Sequence, residues 1–348
     1  MSDIQIPPRR AWKQDLAPYS ESDDRRAAGQ IASAVIPYLA LWTATILIQP
    51  GPLGAFALGL VATIFLMRMY SLFHDLTHSS LFSSRRANSL WGHVLGYFLF
   101  TPYRWWQRQH AIHHAHSGNL EHRGVGEINT MTVDEYRNAS RLRRLGYRLY
   151  RNPVLLLLVG PTLVFLFDRR FPQKGMSRRI LLSVVLTNLA LVAWAVGLSA
   201  LVGWQTFLIL QGTTLVAGGA VGAYLLYVQH QYEDAYYRHD GEWEFELAAL
   251  RGSSFLLLPR PVVWTLASIN YHHVHHLSAK IPNYNLRTAH ESHPMFRNSP
   301  TFTFRSSLPT FRLKLWDTDT ESLVPFPPGR SGPGDACPGQ GPVAADIR

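Results

Sequence analysis

The run LGAFALGLVATIFLMRMYSLFHDLTH, Leu53–His78, stays apolar for about five helical turns and then ends on two histidines spaced four apart. A helix needs roughly 20 apolar residues to cross the hydrocarbon core of a bilayer. Leu53–Leu72 therefore reads as a membrane span, with His74 and His78 just beyond its end. Residues i and i+4 share one helix face, so both imidazoles point the same way.

Three further runs have the same character: Ile31–Ile48, Ile180–Leu201 and Thr206–Val228. One such run can be a buried core helix. Four together, almost free of internal charge, predict a membrane protein. The chain is 348 residues long, 47% hydrophobic and only 16% charged, against about 25% charged for a soluble domain. Lys and Arg placement orients the spans. The connections QPGPLG and VGWQT hold none, whereas the N-terminal arm and Asp168–Arg179 hold five each, and Arg85 and Arg86 follow the second span. By the positive-inside rule, both termini and the histidine ends of the spans are expected in the cytoplasm.

The expected architecture is an all-α integral membrane protein. Four transmembrane helices form two hairpins, with a cytoplasmic helical cap and interfacial helices. Leu90–Tyr103, Pro153–Phe167 and Phe255–Ile269 are too short to span and read as interfacial segments. Residues 1–30 are expected as a cytoplasmic arm, 31–316 as the membrane domain and 317–348 as a tail, disordered from about Pro325 onward. The formal charge of +10 arrives with no nucleic-acid-binding motif, so it is assigned to the cytoplasmic loops and not to nucleic acid. The single cysteine, Cys337, excludes a cysteine-built metal site.

On this topology the other histidine motifs fall on the same side of the membrane. HAIHH gives His110, His113 and His114; QHQYED gives His230; HHVHH gives His272, His275 and His276. With His74 and His78 they number nine, too many imidazoles for one ion and suited to two. Imidazole accepts zinc, copper, iron or nickel, so the donors alone do not choose the metal. Ligating histidines usually give their second nitrogen to a carboxylate, carbonyl or water, which makes Asp75, Glu233 and Asp234 supporting candidates. Asn270 is a candidate for contact with a metal-bound water. Trp105 and Trp106 read as interface anchors. The other histidines (His93, His116, His122, His239, His273, His290, His293) read as ordinary polar residues.

HxxxH, HxxHH and a distant HxxHH among four spans resemble the membrane fatty acid desaturase family, over about residues 40–316. The likeness is tightest in HHAHSGNL, YVQHQYEDAYY and HHVHHLSAKIPNYNL, and it points to the acyl-lipid, Δ12/ω-6 branch. It implies two non-haem iron ions on the box histidines His74, His78, His110, His113, His114, His272, His275 and His276, with His230 as the additional ligand near the fourth span. It implies dioxygen as co-substrate and a cis double bond as product. It implies a fatty acyl substrate, an acyl lipid first, within a bacterial inner membrane. HDLTH stands where many Δ12 members have HDCGH, and no HPGG haem motif is present. Electrons are therefore expected from a separate carrier such as ferredoxin with its reductase. The alternatives are an alkane, fatty acid or carotenoid hydroxylase or ketolase of the same histidine-box superfamily, or a metal transporter. A transporter calls for ionisable groups near mid-membrane, which the spans lack apart from Arg68.

Overall fold

The computed structural model describes residues 8–168 and 170–327. Its first helix, α1 (Arg9–Leu16), buries Trp12 and Leu16 and turns its basic residues outward. Those two side chains pack with Leu250, Leu277 and Phe296. Within the expected arm of residues 1–30, α1 thus packs against the cap at the histidine end. The first span, α2 (Asp24–Ile48), also begins earlier than Ile31, because the Asp23 carboxylate accepts from the N–H groups of Arg25 and Arg26.

The next span, α3 (Pro52–His78), starts with proline in its first turn and ends where Ser79 turns left-handed at φ 54°. Its 27 residues make about 40 Å of helix, more than a turn beyond the roughly 30 Å hydrocarbon thickness. That surplus carries His74 and His78 clear of the apolar run. Two shorter helices follow, α4 (Arg85–Phe98) and α5 (Tyr103–His116), then α6 (Val133–Asn138) and α7 (Arg141–Tyr150). Leu155–Asp168 forms π-helical turns around α8 (Gly160–Leu163) and lies at 68° to α7. The Gly160-Pro161 pair breaks regular pairing at that point.

The second hairpin is α9 (Arg178–Val202) and α10 (Trp204–His230), hinged on Gly203 at φ 80°. α2, α3, α9 and α10 are each long and apolar enough to cross a membrane. α3 is the most buried and crosses α10 closely: a Cβ built on Gly59 would lie 2.8 Å from Thr213 Cβ and 2.9 Å from the Leu210 carbonyl oxygen. Leu53, Leu182, Leu189 and Val192 point away from the protein, as lipid-facing side chains do.

After α10 come α11 (Phe245–Arg251), strand β1 (Phe255–Leu257) and α12 (Arg260–Thr265). The run from Phe255 to Ile269 therefore enters as a strand, not as an interfacial helix, because Phe255–Leu257 pairs in parallel with Thr301–Thr303. The segment continues through α13 (His272–Leu277), α14 (Asn283–Ser292), β2 (Thr301–Thr303), β3 (Leu315–Asp317) and β4 (Ser322–Val324). Register in the antiparallel β3–β4 pair sets Trp316 opposite Leu323. The stretch assigned to a tail is thus ordered through this hairpin, and Phe326 packs its ring on Tyr136 and Tyr147. The remainder of the expected disordered tail, from residue 328, lies outside the described residues.

Candidate metal centre

Four elements bring their histidines to one end of the bundle. α3 ends on His74 and His78, α5 carries His110, His113 and His114, α10 ends on His230, and α13 carries His272, His275 and His276. All nine converge, and they divide into two groups: His74, His78, His110, His114 and His275, and His113, His230, His272 and His276. Within each group one ring nitrogen per residue lies within 4.8 Å of all the others.

The division follows from helix geometry. In each HxxHH motif the first and third histidines are four apart and share a face, while the middle one is turned to the side. On α5 the outer pair serves the first group and His113 the second. On α13 the roles are exchanged: His272 and His276 serve the second group and His275 the first.

The donors fit metal ions. Ring nitrogens of His110 and His114 lie 3.0 Å apart, those of His114 and His275 3.1 Å, and those of His230 and His272 3.0 Å. Two ligands at about 2.1 Å from one ion and at right angles are about 3.0 Å apart. Hydrogen bonds between imidazoles would account for those pairs, but not for the rest. Both ring nitrogens of His74, and one each of His78, His113, His272, His275 and His276, are buried with no hydrogen-bond partner. Each orphaned polar atom costs about 1–3 kcal/mol, a penalty that a bound ion removes where the orphan is the nitrogen turned to its group. For His272 and His275 that nitrogen is Nε2 and the orphan is Nδ1, on the far side of the ring. On α5 and α13, burial first and neighbouring imidazoles second hold the pKa values of His110, His113, His114, His272, His275 and His276 well below the usual histidine value. They are therefore neutral, the form that ligates.

Some supporting contacts were legible in advance and others were not. Asp75 is buried, with one carboxylate oxygen 3.6 Å from His74 Nδ1 and the other accepting from Asn283 N and Nδ2 at 2.7 and 2.8 Å. Asn283 in turn exchanges amide hydrogen bonds with Gln30 of α2. Glu233 and Asp234 are a correction: both are exposed and, among the described residues, neither has an ion pair or side-chain hydrogen bond with a histidine of either group. The chain leaves α10 at Gln231, so their side chains fall outside the cap. Asn270 is buried and donates to the Leu256 carbonyl, tying α13 to β1, while its side-chain oxygen has no partner. The support for His230 is a backbone carbonyl: Nδ1 donates to Gly252 O at 2.8 Å, which leaves Nε2 for the group. No sequence pattern pointed to that contact. Trp105 and Trp106 are buried and not interface anchors; Trp106 stacks on His110 with centroids 4.3 Å apart. The other seven histidines stand outside both groups, and His93, His239, His273, His290 and His293 have local hydrogen-bond partners.

An apolar cavity of about 550 Å³ ends on this centre. It touches His74 and His110 of the first group and His113 and His272 of the second. Along α10 its wall runs from Gln229 to Gln211, about 27 Å of helix. Gly218, Gly219 and Gly222 line it, and nothing lies within 4 Å of a Cβ built on Gly222. Glu127, beside the cavity, has its carboxyl pushed up to about 7 by burial.

Comparison with known proteins agrees with this geometry. A family model described as fatty acid desaturase matches residues 25–304. The chain is 42% identical over 312 residues to a fatty acid desaturase of Bacillus subtilis, covering 89% of each. It is 27% identical to an sn-1 oleoyl-lipid 12-desaturase of Anabaena variabilis, over 82% of this chain and 76% of that one. A chloroplastic omega-6 fatty acid desaturase of Glycine max is 26% identical, over 63% of this chain and 51% of the relative.

Proposed function

The chain belongs to the fatty acid desaturase family, and from that premise we propose that it introduces a cis double bond into the acyl chain of a membrane lipid. Two iron ions would be held by the two histidine groups, with dioxygen as oxidant. Two hydrogens leave adjacent methylenes, and with two electrons and two protons from outside they reduce one dioxygen to two waters. The observation that carries the reading is the apolar cavity ending on histidines of both groups.

When bound, the iron supplies dioxygen activation and hydrogen removal. The protein's part is placement. An acyl chain has no polar handle at its midpoint, so selectivity rests on the shape of the cavity between α3, α10 and the α8 segment, which presents one carbon–carbon bond to the histidine end. Trp106, stacked on His110, and Leu66 and Met67 keep that path apolar and exclude water. Gly252, through His230, and Asp75, beside His74, orient ligands on α10 and α3.

The Lys and Arg distribution supports a cytoplasmic location for the histidine end and both termini in a bacterial inner membrane. Electrons come from a separate carrier such as ferredoxin with its reductase. A Δ12 outcome is the one to which the cyanobacterial and plastid relatives lead.

The test is the fatty acid profile, by gas chromatography–mass spectrometry, of a bacterial host that supplies the electron carrier. Wild type and His275→Ala are compared, with the iron content of each purified protein. A new unsaturated acid from the wild type alone, with less iron in the variant, is expected. An oxygenated product, or unchanged iron and turnover in the variant, would reject the reading.

A further inference from the structure

At the histidine end, a second cleft of about 470 Å³ opens between α4 and α5, lined by Arg85, Arg86, Ser89, Leu90, His93 and Arg104. It shares no lining residue with the apolar cavity. Three arginines line it, and among the described residues none of them forms an ion pair. Arg104 is held by neutral partners: it donates to Gln107 Oε1 at 2.9 Å and to Ser89 Oγ at 2.8 Å, with its guanidinium over the Tyr103 ring. Its charge is fixed in place without being cancelled. His93 Nδ1 is engaged by the Ser89 carbonyl at 2.7 Å. The carboxylate of Asp24, near the start of α4, is bound to Ser83 N and Oγ, both at 2.8 Å.

Arg85 and Arg86 also occupy the first turn of α4, where the helix dipole disfavours cations. An arrangement that costs stability in the free protein gains it when an anion enters.

The surroundings identify the anion's carrier. α4 descends into the bundle, and Phe98 at its far end meets Tyr38 and Trp194, midway along α2 and α9. Its basic end is therefore at the rim. Arg104 N donates to Ser183 Oγ, which sets the cleft beside the second turn of α9. Directly along α9 from there, Leu182, Val185, Leu186 and Leu189 are exposed, and Leu90 on the lip of the cleft is 63% exposed. Cationic groups at the rim above an apolar flank match a phosphate ester with acyl tails. A soluble acidic protein would have no use for the flank.

We propose that this cleft binds the phosphate of an anionic phospholipid whose tails lie along α9, a lipid distinct from the one that enters the apolar cavity. Bound lipid fixes α4 against α5, which carries three of the histidines, so it stabilises the fold by mass action.

The test uses the purified full chain in neutral detergent. Dioleoyl phosphatidylglycerol, dioleoyl phosphatidylcholine and inorganic phosphate are titrated separately, with thermal unfolding and native mass spectrometry as readouts. Phosphatidylglycerol is expected to raise Tm by several degrees and to remain bound, while phosphatidylcholine does neither. Arg85→Gln/Arg86→Gln should weaken binding at least tenfold, and Arg141→Gln/Arg143→Gln on α7 should not. Equal binding of the two lipids by the wild type would overturn the proposal independently of any variant. So would full binding by the Arg85/Arg86 variant. Protection by inorganic phosphate equal to that by phosphatidylglycerol would overturn the lipid assignment.

Discussion

Asp75→Asn tests the centre without touching a ligand. The buried carboxylate accepts two N–H bonds from Asn283, at 2.7 and 2.8 Å, and its other oxygen lies 3.6 Å from His74 Nδ1 with no hydrogen-bond partner. That distance is too long for a hydrogen bond, so Asp75 acts on His74 by charge. Among the described residues no Lys or Arg pairs with Asp75, so a metal ion on the neighbouring histidines is the natural counter-charge. The amide variant keeps the shape and loses the charge. A hydrogen bond to a charged group contributes about 1.5–3 kcal/mol and a neutral one about 0.5–1.5. Two bonds downgraded in this way weaken the α3–α14 joint by about 2–3 kcal/mol. Loss of such support for a metal ligand lowers affinity about 10–100-fold. The assay is competition for Co(II) between the purified protein and a chelator, read from the visible bands of each bound ion. One of the two binding events should weaken and the other, on His113, His230, His272 and His276, should hold. Asn283→Ala should show the same one-sided loss to a smaller degree. Equal affinities in wild type and Asp75→Asn, or equal weakening of both events, would refute the reasoning.

Gly222→Leu points a side chain into the open cavity and, in a helix interior, costs the fold nothing in propensity. Turnover of long acyl chains should fall at least tenfold, or the product should shift to shorter chains, while metal content stays the same. Gly59→Val meets Thr213 and the Leu210 carbonyl at the α3–α10 crossing. The overpacking should cost about 1–3 kcal/mol, read as a lower Tm in detergent. Burial pushes the Glu127 carboxyl up to about 7 from 4.5. The folded state therefore favours the protonated acid, and the associated stability is full below pH 4.5 and is lost as pH rises through 7. Glu127→Gln should remove about 3 kcal/mol of that pH dependence, measured by unfolding from pH 4.5 to 8.

The four spans were legible because their signal is composition over length, and little in the fold can override about 20 apolar residues in a row. Their ends were less legible. Asp23, Ser177 and the Ser79 turn extend the helices past the apolar runs, and capping is a local choice that hydropathy does not register. The strand at Phe255–Leu257 was hidden for a different reason: its partner lies at Thr301–Thr303, and long-range pairing leaves no local periodicity. The nine histidines were legible because helical spacing alone carries them. Their supports divide by the same rule. Asp75 adjoins His74 in sequence and could be named, whereas Gly252 and Asn283 reach the centre only through the fold. Glu233 and Asp234 misled because closeness to His230 in sequence ends where α10 ends.

The crossed division of the two HxxHH motifs has a consequence for assembly. If α5 served one group and α13 the other, either group could form while the other stayed open. Instead the first group needs His275 from α13, and the second needs His113 from α5. Neither is complete until both helices have docked against α3 and α10. α13 is only six residues long, too short to hold its shape alone, and it is positioned by α11 and by the hydrogen bond from Asn270 to β1. Docking of this cap and completion of the two groups are therefore one event. Partial disruption of the cap, as by Asn270→Ala, should lower occupancy of both groups together, in contrast to the one-sided loss expected from Asp75→Asn. The Co(II) competition reads the difference: parallel loss supports the crossed arrangement, and loss confined to one group would refute it.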